Sequence, residues 1–278
     1  MKSFVGKVAA ITGAGSGIGR ALALALVRSG CEVALSDIDA GALGETAELC
    51  APFGPRVTST LLDVADRAAV YRWADQVVGA HGRVHLIFNN AGVSLVSALE
   101  SAAYEDLEWI VGINFWGVVY GTKAFLPHLR AAGEGHVINI SSVFGITAVP
   151  NHGAYNATKF AVRGFTEALR IELAATRSPV SATCVFPGGV RTNIARRARV
   201  RAGVEGTTAA SEEASRELFE RNCRTTAEGA AAAILRGVRR DRRRVLIGVD
   251  ARAIDLLVRL APAASQHVVL AAARRTAR

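Results

Sequence analysis

The sequence predicts a three-layer α/β fold, a doubly wound parallel sheet covered by helices on both faces, and three observations carry that prediction. Short apolar, strand-like runs alternate with helical stretches along the chain, the pattern of successive βαβ units. The first run, Val8-Ala9-Ala10-Ile11, passes through Thr12-Gly13-Ala14-Gly15-Ser16-Gly17-Ile18-Gly19 directly into a helical stretch. The second, Glu32-Val33-Ala34-Leu35-Ser36, ends on an acidic residue, Asp37.

Taken in order, a strand near 7–12 is followed by an Ala- and Leu-rich stretch from Arg20 to Ser29 that stops at Gly30, a fitting helix C-cap. A strand, a glycine loop and a helix N-terminus together form an anion site, because free backbone N–H groups and the positive dipole end face a bound pyrophosphate. Gly13, Gly17 and Gly19 read G-x-x-x-G-x-G, and Ile18 stands where the G-x-G-x-x-G fingerprint starting at Gly13 has glycine. A merely flexible surface loop is the bland alternative, and the flanking strand and helix argue against it. Asp37 ends the second strand (32–36), twenty residues after Gly17, where a carboxylate can accept hydrogen bonds from a ribose 2′-hydroxyl. That favours NAD over NADP, since a 2′-phosphate would be repelled and no basic residue stands at Ser16, Ile38 or Asp39. Asp37 could instead cap the helix beginning near Ala40, but Asp39 is better placed to do so.

Further strands are expected near 56–62, 84–89, 135–141, 180–186 and 245–247. The run His136-Val137-Ile138-Asn139-Ile140 places Ser142 at a strand's carboxyl end, where ligands bind in open α/β sheets. Asn89-Asn90-Ala91-Gly92 follows the fourth run and is also an ordinary turn sequence. Thirteen residues after Ser142 comes Tyr155-Asn156-Ala157-Thr158-Lys159. On a helix the phenol and the ammonium lie on one face, one turn apart. A phenol titrating near pH ~10 needs its pKa lowered by roughly 3 units, about 4 kcal/mol, to act as a base near neutrality. A neighbouring lysine charge has the right sign. A surface helix pair would show the same spacing.

In this order the motifs resemble those of the short-chain dehydrogenase/reductase family, in its ordinary single-domain subfamily, over roughly Lys7 to Ile247. The resemblance rests on Thr12 to Gly19, Asp63-Val64, Asn89 to Gly92, Asn114, Ser142, Tyr155 with Lys159, and Pro187-Gly188-Gly189-Val190-Arg191-Thr192. It implies a Rossmann fold with seven parallel strands in the order 3-2-1-4-5-6-7. It also implies Tyr155 as catalytic acid or base and Lys159 as the group that lowers its pKa and binds the nicotinamide ribose. Ser142 would orient the substrate oxygen, and Asn114, inside a long helix, would hold a water linking Lys159 to solvent. The implied cofactor contacts are Gly13, Gly15, Ser16, Gly17, Ile18, Gly19 and Asp37, then Asp63 and Val64 near the adenine, then Asn90, Ala91 and Gly92, and also Tyr155 and Lys159. Pro187 and Gly188 would steer the chain around the nicotinamide ring, with Val190 and Thr192 on its carboxamide. Implied pocket residues are Ser94, Ser142, Val143, Phe144, His152, Gly189 and Ile194, of which His152 reads as a helix-start residue.

With 278 residues, half of them hydrophobic, the chain can bury one sizeable core, and no linker or repeat interrupts it. One domain is expected over 1–250, with a substrate lid about 191–224 and a helical extension over 251–278. The chain's start runs into the first strand too soon for a signal peptide, and the four cysteines show no paired spacing, so a cytoplasmic location is expected. The apolar stretch from Leu260 to Ala273 contains Pro262 and is too short to span a bilayer. No metal site is expected. The net charge of +9 concentrates toward the C-terminus, with Arg239-Arg240 and Arg242-Arg243-Arg244. Only four of 33 basic residues are lysines, a compositional bias that reads as solvated surface and subunit contacts, and without interleaved aromatics no nucleic acid partner is expected. Arg196, Arg197, Arg199 and Arg201 could meet a carboxylate or phosphate but read more readily as solvated lid residues, and Ser211 to Arg221 as a lid helix.

The function expected is NAD-dependent interconversion of a secondary alcohol and a ketone, bulky and largely apolar, by a homo-oligomer (dimer or tetramer). An NADP-dependent ketone reductase of the same fold is the alternative that Asp37 opposes. A non-catalytic NAD-binding scaffold is an alternative of another class, and it would be expected to have lost Ser142, Tyr155 or Lys159.

Overall fold

The computed structural model describes residues 1–201 and 225–276. In chain order the first half contains β1 (Val8–Thr12), α1 (Gly17–Val27), β2 (Glu32–Asp37), α2 (Ala40–Cys50), β3 (Val57–Leu61), α3 (Arg67–His81), β4 (Leu86–Asn89) and a short β5 (Leu95–Val96). Then come α4 (Tyr104–Val111), α5 (Gly117–Ala131), β6 (Gly135–Ile140), α6 (Gly153–Ala175), β7 (Val180–Pro187) and a short β8 (Arg199–Val200). The last elements are α7 (Ala227–Arg239), β9 (Arg244–Ile247), α8 (Val249–Leu260) and α9 (Pro262–Thr276).

Seven strands form one parallel sheet in the order β3-β2-β1-β4-β6-β7-β9. Counting only these strands, the order is the expected 3-2-1-4-5-6-7, and the seven observed spans fall within a residue or two of the expected ones. Alternation sets the layers, since successive strand residues point to opposite faces. Ala9 and Ile11 pack with Leu22 and Leu26 of α1 and with Ile234 and Val238 of α7. Val8 and Ala10 pack on the other face with Trp73 of α3, Phe125 of α5 and Leu169 of α6. The connection order reverses between β1 and β4, which opens a crevice at the carboxyl ends of these neighbouring strands.

Three features depart from the sequence reading. A second, two-stranded sheet pairs β5 with β8, Leu95 opposite Arg199 and Val96 opposite Val200; strands of two residues carry too short a pattern to be read. The long helix expected around Asn114 is interrupted by π-helical backbone over Gly112–Trp116, between α4 and α5, and such bulges gather at functional sites. The arginines of the first part of the expected lid have carboxylate partners: Arg197 pairs with Asp39, and Arg199 and Arg201 with Asp106. The expected lid helix over 211–221 lies outside the described residues. Beyond β9, Pro262 opens α9 at a helix's first position, which tolerates its missing N–H. Ile254 and Val258 of α8 pack on Ile146, Cys184 and Phe186, whereas Leu256 and Leu260 are exposed. Among the described residues no helix is long and apolar enough to cross a membrane, and no group of side chains could hold a metal ion.

Candidate active site

The glycine loop is shaped by close backbone approach. Asn90, just past β4, donates from Nδ2 to the carbonyls of Thr12 (2.9 Å) and Gly13 (3.1 Å), and the Thr12 hydroxyl accepts the Asn90 and Ala91 N–H groups at 3.0 Å each. A Cβ on Gly13, whose φ is +64°, would stand 2.8 Å from Ala91 Cα, and one on Gly19 would overlap the Gly13 carbonyl. Gly17 also has positive φ and lies against Thr192. Ser16 is the N-cap of α1 but makes no side-chain cap. Among the described residues no side chain caps the first-turn N–H groups of α1, the arrangement that receives a phosphate.

Asp37 ends β2 beside this loop. One carboxylate oxygen accepts from Gly15 N at 2.8 Å and the other from Asp39 N at 3.0 Å. Asp39 caps α2, accepting from Ala42 N at 3.1 Å, as its position suggested. The chain just before β8 adds what sequence proximity did not show: Arg197 reaches Asp39 at 3.3 Å, so a guanidinium does stand near the expected ribose site. Asp63 follows β3 and is exposed, and Val64 is buried against Gly117. These groups fit a dinucleotide: a close-packed glycine cradle, unpaired helix N–H groups and a carboxylate at the second strand's end.

Deeper in the crevice, Ser142 lies two residues past β6 and accepts from Phe144 N at 3.1 Å. Tyr155 and Lys159 share one buried face of α6. Ser141 donates to the Lys159 carbonyl at 2.8 Å and thus fastens α6 to the end of β6, a tighter role than a turn residue has. Lys159 Nζ donates to the Ile140 carbonyl at 3.1 Å and sits 5.5 Å from the Tyr155 ring centre. A Cβ on Gly92 would meet Asn114 Oδ1 at 3.3 Å and Lys159 Nζ at 3.4 Å, so these two side chains flank the same point. Asn114 is fully buried and both ends of its amide are engaged, with Val93 N (2.8 Å), the Val93 carbonyl (2.9 Å) and Thr158 Oγ1 (3.3 Å).

The titration of the pair differs from the expectation. Burial pushes the Tyr155 phenol up to about 12, opposed by a hydrogen bond with Ser142, and burial pulls Lys159 down to about 8. Both charged forms are penalised by the same loss of water, so the lysine does not by itself bring the phenol toward neutrality.

An apolar wall stands beside the phenol. Tyr155, Leu95 and Ile110 are buried together, with Phe144, Trp109 and Ile194 packed against them. Phe144 meets Tyr155 edge-on, centroids 5.8 Å apart, and its other neighbour is His152 at 5.4 Å. His152 occupies the N-cap position of α6. Val143 is buried in the turn after Ser142, and the Ser94 carbonyl accepts from Arg199 N at 3.0 Å. Gly189 is drawn the other way, donating from its backbone N to Asp250 Oδ2 at 2.6 Å. Asp250 also crowds Gly188, where a Cβ would collide with its carboxylate. With Thr225 bridging to Val190 and Gly188 N bonded to the Ile247 carbonyl, the segment 187–192 is held by residues far along the chain. No local pattern marks Asp250 or Asp106, both of which sequence reasoning passed over. Asp250→Ala should weaken dinucleotide binding roughly tenfold, the loss of one charge-assisted hydrogen bond, as measured by fluorescence titration with NADH.

Comparison with known proteins gives the family. The family model "short chain dehydrogenase" matches residues 7–203. A Mycobacterium tuberculosis protein named "Putative oxidoreductase SadH" is 49% identical over 272 residues, covering 98% of this chain and 96% of its own. The crystal structure of a short-chain dehydrogenase/reductase from Burkholderia phymatum in complex with NAD superposes with a TM-score of 0.84 at 34% identity, covering 92% of this chain and 94% of that one. Carveol dehydrogenase from Mycobacterium avium, also in complex with NAD, gives 0.66 at 31% identity over 70% of this chain and 74% of its own. The seven-stranded sheet is shared with these relatives, and the chain belongs to the short-chain dehydrogenase/reductase family of oxidoreductases.

Proposed function

We propose that this protein uses NAD to interconvert a bulky, largely apolar secondary alcohol and its ketone. The observation that carries the reading is the meeting of Ser142, Tyr155 and Lys159 beside the glycine cradle, under an apolar wall of Leu95, Ile110, Phe144 and Ile194. When bound, NAD supplies the hydride acceptor and, oxidised, a positive charge beside the phenol. Tyr155 takes the carbinol proton at its phenolic oxygen during oxidation and returns it during reduction. Ser142 Oγ holds the substrate oxygen at hydrogen-bond distance from that phenol. Lys159 secures the nicotinamide ribose and, with the cofactor's charge, opposes the desolvation that raises the phenol's pKa. Because the Asn114 amide is engaged, the water of the implied proton relay falls to its main-chain carbonyl.

NAD rather than NADP is supported by Asp37 at the ribose position and by the NAD complexes of the two solved relatives. Carveol is the substrate named for one of them, and a hydrophobic secondary alcohol suits the wall found here. A homo-oligomer in the cytoplasm fits the exposed Trp116, Phe160, Ile171, Leu256 and Leu260 and the free, buried Cys31, Cys50 and Cys184.

Three measurements test this. Following NADH absorbance with menthol and cyclohexanol, NAD should be reduced and NADP should be reduced far less; no turnover of either cofactor with any secondary alcohol or ketone would defeat the reading. Asp37→Ala should shift the NAD/NADP ratio of kcat/KM by about tenfold or more toward NADP, since a repelling charge is removed; an unchanged ratio would remove Asp37 from selectivity. The oxidation rate should rise with pH through an ionisation lying between about 8 and about 12, the values of the buried pair. That ionisation belongs to Tyr155 and Lys159 jointly, and it should move in Lys159→Met.

A further inference from the structure

The chain from Val190 to Arg201 runs as a strap across the front of the crevice, and its far end is fastened to α4 by one buried carboxylate. Asp106 is 1% exposed and accepts from Arg201 twice, Nε at 2.5 Å and a terminal nitrogen at 2.7 Å, and from Arg199 at 3.3 Å. Arg199 sits over Trp109, one turn further along α4, its guanidinium carbon 3.6 Å from the ring centre. The backbone adds a second seam: Arg199 N donates to the Ser94 carbonyl at 3.0 Å and Arg201 N to the Val96 carbonyl at 3.1 Å. A bidentate guanidinium–carboxylate pair with one partner out of water fixes orientation as well as distance. Between this fastening and the nicotinamide loop hangs Ile194, which packs with Leu95, Ile110 and Tyr155.

We propose that Asp106 is a positioning residue for substrate selection: by holding Arg199 and Arg201 it fixes the strap against Ser94–Val96, and so sets the size of the apolar face that Ile194 and Leu95 present beside Tyr155. Asp106 touches neither substrate nor cofactor and acts through the two arginines. The inference rests on the proposed role of Tyr155 as the reacting group. It follows that Arg199 and Arg201 are committed to a structural carboxylate and are not receptors for an anionic substrate, and that the alcohol selected is one whose bulk reaches Ile194.

The test compares the full-length protein with Asp106→Asn, which keeps the shape and removes the charge, and with the Arg199→Gln/Arg201→Gln double variant, whose altered side chains are half-exposed. For menthol, which would span the wall, KM should rise about tenfold in both variants with kcat within about twofold; for the smaller cyclohexanol KM should change less than about threefold, a differential of the size one hydrophobic contact supplies. NADH binding, read by fluorescence titration, should be unchanged. Limited trypsin digestion should cut after Arg199 or Arg201 faster in Asp106→Asn than in the wild type, a readout that needs no turnover. Equal effects on menthol and cyclohexanol, a parallel loss of NADH binding, or wild-type selectivity in the double variant would overturn the proposal. If Asp106→Asn does not fold, the double variant decides. Should Tyr155→Phe prove fully active, the reaction assignment fails while faster digestion would still show the fastening; unchanged digestion and selectivity in an active enzyme sink the fastening alone.

Discussion

Tyr155→Phe is expected to abolish alcohol oxidation, lowering kcat about a thousandfold or more, while NADH still binds with nearly wild-type affinity. The substitution removes one oxygen and leaves the ring, and the ring is what packs: Tyr155 meets Phe144 edge-on and is buried with Leu95 and Ile110. Stability should therefore hold, and a thermal melt should show it. The proposed phosphate cradle is the glycine loop, which Thr12 and Asn90 hold in shape without the phenol oxygen. Only proton transfer loses its carrier. Ser142 is the other hydroxyl proposed to meet the substrate oxygen, yet its Oγ already accepts from Phe144 N. A variant turning over at the wild-type rate, with NADH formation followed spectrophotometrically, would refute Tyr155 as the acid or base.

Gly19→Ala should remove cofactor binding and destabilise the fold by roughly 1–3 kcal/mol, the range for overpacking a filled site. The added methyl would overlap the Gly13 carbonyl and press on Asn90 Nδ2, 2.7 Å away. Neither neighbour can give: the Gly13 carbonyl is part of the tight turn after β1, and Asn90 is tied to Thr12 and Gly13 together. Displacement must come from α1 itself, whose N-terminus would receive the phosphates. Gly44→Ala, on the α2 surface with no atom nearby, is the control and should leave binding unaltered. Isothermal titration with NADH, alongside thermal melts, separates the two variants; wild-type affinity in Gly19→Ala would show that the loop is not the cradle.

Much of this was legible along the chain because its causes are local. The strands were readable from apolar runs bounded by turn residues, and each run's end pointed to a residue at the rim of the crevice. Asp39 could be assigned as the α2 cap, and Asp37 left free for another task, because capping depends on a spacing of a few residues. The glycine positions were readable for the same reason, although the overlap that makes Gly19 obligatory involves Asn90, seventy-one residues away.

What escaped has non-local causes. Asp106 sits on an ordinary helix start and becomes a buried charge only because β8 brings Arg199 and Arg201 across it. Asp250 reaches Gly189 only because β9 lies next to β7. Arg197, read as solvated, arrives at Asp39 by the same route. The Tyr155 and Lys159 pair shows both sides at once. Sequence by itself determined that a phenol and an ammonium share one face of α6, since helical periodicity requires it, and that a strand, glycine loop and helix precede them. Only the tertiary structure decided how those two groups titrate and what stands before them. Burial removes the water that would stabilise either charge, a property of the whole packed crevice, and the strap fastened by Asp106 is assembled from segments that meet only in the folded chain.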